Sequence, residues 1–161
     1  MTAPTGIEPS PLLAIAVAAL QSRGRVVDTN WDAQTFTVRA LRPDVETTLG
    51  VVFNFTGSIV FYYVWEDDLP DERMAALAEF VLRANEKLTT SAFELSLGRR
   101  DLALRAGVAF GEDYLDLDRG AVTALLVNAL EECERAAYAH RGAVAAVLAG
   151  TSPAESLTKV A

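Results

Sequence analysis

The sequence predicts a single α+β domain in which an antiparallel sheet of about five strands is flanked by helices. Residues 36 to 65 and 92 to 110 alternate in hydropathy with period two. Residues 11 to 23, 70 to 88 and 118 to 149 instead repeat apolar side chains every three or four positions. A chain of 161 residues, 51% of them apolar, holds enough material for one core. Residues 1–161 are read as one domain, with residues 1–9 as a flexible start.

The first helix follows from Ser10 as N-cap, Pro11 at the first helical position and Gly24 as the stop, with Leu13, Ala16, Val17 and Leu20 on one face. Its apolar run "LLAIAVAAL" (12 to 20) is much shorter than the roughly 20 residues a bilayer crossing needs. Residues 1 to 11 contain no Lys or Arg and do contain Glu8, which argues against a cleaved signal.

Strands follow. "FTVRA" (36 to 40) places Phe36, Val38 and Ala40 on one side, and Arg42-Pro43-Asp44 ends it. From Val45 to Phe55 the odd positions Val45, Leu49, Val51, Phe53 and Phe55 are apolar, while Glu46, Thr48 and Asn54 occupy the alternate side. Thr56-Gly57 signals a tight turn into "SIVFYYVW" (58 to 65), which is apolar on both sides. Ile59, Phe61, Tyr63 and Trp65 line one side; Val60, Tyr62 and Val64 line the other. Such a strand needs cover twice over, from helices of this chain on both sides or from a partner on one. Val60, Tyr62 and Val64 are therefore the candidate protein-binding residues, for a second copy in a homodimer or for another protein.

"DDLPDERMAALAEFVLRANEKL" (67 to 88) returns to the helical period, with acids in its first turn. "AFELSLGRRDLALRAGVAF" (92 to 110) is a hairpin about Gly98, with Glu94, Ser96 and Arg105 on its wet side. Asp118 caps the last long helix, whose stripe runs Val122, Leu125, Leu126, Ala129, Leu130, Cys133, Ala136, Ala137, Val144 and Val147. Glu132 falls off that stripe. Gly150 ends the helix, and Ser152-Pro153 starts a final turn that lays Leu157 on the core.

The order α-β-β-β-α-β-β-α, with "VLRANEKL" (81 to 88), "FELSLGRRDLALRAGV" (93 to 108) and "AAVLAGTSPAESL" (145 to 157), resembles the YbjN-like family of small bacterial proteins. Asn85 matches an asparagine that these proteins carry late in the second helix, and Gly150 to Glu155 match their ending. The likeness is looser over "AFGEDYLDLDRG" (109 to 120). The resemblance implies the twisted antiparallel sheet of type III secretion chaperones, flanked by helices and often dimeric. It also implies a non-enzymatic regulator of bacterial sensory transduction. A secretion chaperone that holds an effector segment is the alternative.

No residue pattern adds chemistry. One His and one Cys do not make a zinc site, and Cys133 and His140 lie about 10 Å apart along one helix at 1.5 Å per residue. The acidic stretches "WEDDLPDE" (65 to 72) and "GEDYLDLD" (111 to 118) precede helices, where acids favour the macrodipole, and lack the calcium-loop pattern. No catalytic, cofactor or metal residue is therefore assigned, and the chain is read as no enzyme. A net charge of −8 and a pI near 4.6 work against binding nucleic acid or anionic membrane. A lone cysteine suits a reducing cytoplasm.

Overall fold

The computed structural model describes residues 10–41, 47–65 and 69–160. The expected start at residues 1–9, the turn at 42–44, Val45 and Glu46, and residues 66–68 of the first acidic stretch lie outside them. Helix α1 (Pro11–Ser22) begins with Pro11 at its first position, and Ser10 occupies the N-cap. The Ser10 hydroxyl does not cap the helix, because it donates instead to the Asn54 side-chain oxygen. Leu12, Leu13, Ala16 and Leu20 are fully buried.

Among the described residues six strands form one antiparallel sheet in the order β1-β2-β3-β4-β6-β5. The strand beyond the expected five is β1 (Val27–Asn30), which pairs with β2 (Thr35–Arg39). Its sequence VDTN offers one aliphatic residue, too little for a period to show. Next come β3 (Thr47–Phe53) and β4 (Ser58–Val64), joined by a 3₁₀ turn over Asn54–Thr56. The expected strand therefore ends before Phe55, which is 92% exposed.

Helix α2 (Met74–Asn85) follows a 3₁₀ turn at Asp71–Arg73 and stops short of Leu88. The hairpin of β5 (Ser91–Ser96) and β6 (Asp101–Ala109) turns through Arg100 at φ 55° and exposes Leu97, which the alternation had grouped with Phe93 and Leu95. Helix α3 (Arg119–Leu148) starts as expected, the Asp118 carboxylate accepting from the Ala121 N–H at 2.8 Å. It runs through Gly142 without a break.

At its end the Gly150 N–H donates to the Val147 carbonyl and the Thr151 N–H to the Ala146 carbonyl. This paired closure needs a left-handed residue, and Gly150 supplies it at φ 106°. The Arg73 guanidinium packs where a Cβ would sit. Helix α4 (Pro153–Leu157) then starts from Ser152, whose hydroxyl accepts from the Glu155 N–H, and buries Leu157.

The core lies between one face of the sheet and the helices. Helix α3 packs on β4 and β6, α2 on β5, and α1 on α3 and β1. Leu126, Leu130, Cys133, Ala136 and Val144 of α3 are buried, whereas Leu125, grouped with them by spacing, is exposed. Phe36 and Phe61 meet edge to face at 5.9 Å. Gly50 exists for Phe36: a Cβ there would lie 2.2 Å from the ring's Cζ. The buried Arg25 binds Glu134 and so ties the entry to β1 onto α3.

Candidate interaction surface

The packing decides which side of each strand is covered. On β4, Ile59 and Phe61 face the helices at 0% exposure. Val60, Tyr62 and Val64 face away, the first two half-buried and Val64 39% exposed. The described helices thus cover one face of this doubly apolar strand and leave the other open.

Strand β3 adds to the open face. Thr48, Gly50 and Val52 are buried beneath the helices, so its apolar odd positions Leu49, Val51 and Phe53 point outward. Leu49 sits opposite Tyr62 and Val51 opposite Val60. Alternation alone separates two sides without saying which is the core. Gly50 held the missing signal, since a glycine inside a strand often marks where a neighbouring group must approach closely.

Leu49, Val51, Tyr62 and Val64 line the bottom of a groove of about 530 Å³, with Glu94 and Arg99 at its rim. Glu94 pairs with Arg105 across the strands, and Arg99 pairs with Asp101 at 2.8 Å. The face is therefore apolar along its centre, and these charges at its margin are neutralised. Burial, aided by the Glu94 charge and opposed by Arg105, raises the pKa of the Tyr62 phenol. The phenol stays protonated and can donate a hydrogen bond at neutral pH.

The groups considered for chemistry are occupied in the core. The thiol of Cys133 lies 3.6 Å from the Phe61 carbonyl and 3.5 Å from that of Leu104. Burial pushes its pKa up to about 12, so it carries no thiolate at neutral pH. His140 donates from Nδ1 to the Ala136 carbonyl at 2.8 Å and packs edge-on against Phe80 and Phe93. Burial, with Arg135 and Lys87 nearby, lowers its pKa against the helpful Ala136 bond.

Asn85 has a definite task. Its amide donates to the Phe93 carbonyl at 3.1 Å and accepts from the Phe93 N–H at 2.7 Å. Phe93 belongs to β5, an edge strand, so Asn85 satisfies backbone groups that would otherwise invite another strand. Among the described residues no group of three His, Cys, Asp or Glu side chains could hold a metal ion, and no helix is long and apolar enough to cross a membrane.

Helices on one face and an antiparallel sheet left open on the other match a solved structure. The crystal structure of YbjN, "a putative transcription regulator from E. coli", superposes with a TM-score of 0.61, covering 80% of this chain and 92% of that one at 12% identity. The fold is YbjN-like. Identity this low carries the YbjN-like architecture and no activity. Neither family models nor curated proteins gave a match to the sequence.

Proposed function

We propose that this chain is a non-enzymatic, cytoplasmic protein-binding module of the YbjN-like type that acts in regulation through the open face of its sheet. The observation that carries this reading is the apolar strip of Leu49, Val51, Val60, Tyr62 and Val64, uncovered by the described helices. Contiguous apolar surface of this kind marks an interaction site more often than a solvated one, and Tyr suits such a place because it joins an apolar body to a polar edge.

A second copy of the chain is the favoured occupant. Glu94 and Arg105 neutralise each other on this face. The remaining charges of two chains of −8 each are screened beyond about 8 Å at physiological ionic strength. YbjN is described as a transcription regulator of putative standing. Regulation by this acidic chain would run through protein contact, since it lacks the cationic excess that DNA phosphates reward.

Sedimentation equilibrium of the whole protein at micromolar concentration tests the reading. A dimer that Tyr62→Arg and Val64→Asp convert to folded monomers is the expected result. A monomer at all concentrations that also retains no stoichiometric protein from its native cytoplasm would overturn it. A monomer that retains one such protein, and loses it on the same substitutions, moves the surface from self-association to a partner.

A further inference from the structure

On the opposite side of the molecule, the segment just after α2, the middle of α3 and α4 enclose a cavity of about 200 Å³. Leu88, Ala136, Ala139 and Leu157 form its apolar walls. The polar residues lining it are Lys87, Arg135 and His140. Two of those three are permanent cations at neutral pH, in a protein whose net charge is −8.

These groups are not equally committed. Arg135 uses Nε and Nη2 on the Glu132 carboxylate, which leaves Nη1 available. Lys87 makes no ion pair among the described residues. His140 spends its Nδ1 proton on the Ala136 carbonyl, so the neutral ring offers a lone pair and no third charge.

We propose that this cavity binds a short aliphatic monocarboxylate, its tail among Leu88, Ala139 and Leu157 and its carboxylate between Lys87 and Arg135. The charge rules out an amine, and the apolar walls match a chain of methylenes better than a phosphate, which needs many donors. At about 30 Å³ per water-sized group the space admits roughly seven heavy atoms, the size of a six-carbon acid. Helix α4 is what makes it a cavity, because Leu157 forms a wall that the end of α3 alone would not supply.

Titration of the full-length protein with hexanoate, followed by amide chemical shifts, is the test. Saturable shifts centred on Lys87, Leu88, Ala139 and His140 are expected, with hexylamine giving none. The double substitution Lys87→Gln, Arg135→Gln should weaken hexanoate binding by at least about tenfold, the scale of one lost charged contact. Ala139→Leu, which fills the cavity from its own wall, should abolish binding while the melting temperature holds. Acetyl-Ala-Ala-Leu presents the same carboxylate and aliphatic group from a peptide end, and binding tighter than hexanoate would identify chain termini as the source of that chemistry. Equal binding of hexylamine and hexanoate, no saturable binding, or full affinity in the folded charge variant would overturn the proposal. None of these readouts depends on whether the open sheet face forms a dimer.

Discussion

Two faces of one sheet carry similar side chains and meet different fates. Along β4 the residues alternate Ile59, Val60, Phe61, Tyr62, Tyr63 and Val64, all large and apolar in bulk, yet Ile59 and Phe61 lose all their exposure while Val64 keeps more than a third. Hydrophobicity does not separate them. What separates them is the presence of α3, whose buried stripe from Val122 to Val147 lies on β4 and β6 from one side only. Burial is a property of the pair of surfaces, and a strand with two apolar sides states a demand that one layer of helices meets by half.

The comparison is sharpest where substitutions on the two faces diverge. Phe61→Ala should cost about 3 to 5 kcal/mol, the penalty of an emptied aromatic core site that also strips the edge-on partner from Phe36. Chemical denaturation reads this directly, and a loss under about 1 kcal/mol would mean that the helix-covered face is not the core. Asn85→Ala comes next. It leaves the Phe93 N–H and carbonyl without their partners and should cost about 1 to 3 kcal/mol. It should also raise the tendency to aggregate through the uncovered β5 edge, measured by light scattering.

Glu132→Ala gives a middle value, and here spacing misleads. Off the apolar stripe of α3, Glu132 reads as a solvated residue whose loss costs under about 0.5 kcal/mol. In the fold it accepts from the buried Ser91 hydroxyl at 2.9 Å and from Arg135 at 2.6 Å, tying α3 to the start of β5. Burial works to raise its carboxyl pKa, but the bonds from Arg135 and Ser91 prevail and hold it below the ordinary value. The exposed Arg135 pair adds little, so orphaning Ser91 sets the expected loss at about 1 kcal/mol. Urea midpoints of Glu132→Ala and Ser91→Ala should shift together.

His140 tests the covered side by pH. Its folded pKa lies below that of the unfolded chain, so the unfolded state takes up a proton first as pH falls. The contribution to stability is full above the unfolded value of about 6.5 and drains away below it. The difference in unfolding free energy between the native protein and His140→Gln should therefore narrow from pH 7.5 to pH 5. The smallest effect belongs to the open face: Val64→Ser should change the stability of the isolated chain by no more than about 0.5 kcal/mol while weakening whatever association that face supports.

Periodic order within an element is legible in the sequence, and relations between elements are not. The stripe from Leu126 through Cys133 to Val147 could be read because helical spacing alone groups those residues, and Gly150-Thr-Ser-Pro announces a stop and restart by its chemistry. Strand β1 escaped because VDTN is held by its partner β2 and has no apolar pattern of its own. Val60, Tyr62 and Val64 could be named as one side of a strand, but Leu49 and Val51 joined them only once Phe36 was seen lying over Gly50. Asn85 stood out by resemblance, and its partner Phe93 only by fold. Lys87, Arg135 and Leu157 come from three separate segments, so nothing in the linear order brings them to one cavity.

The burial of Cys133 has a practical use. It is the one cysteine in the chain, and its sulfur lies against the carbonyls of Phe61 and Leu104, where α3 meets the two central strands. A thiol reagent can reach it only after that seam parts. If reclosing outruns the reaction, the labelling rate of the untouched native protein measures how often helix and sheet separate, with no introduced probe. The molecule thus carries its own clock for the opening of its core.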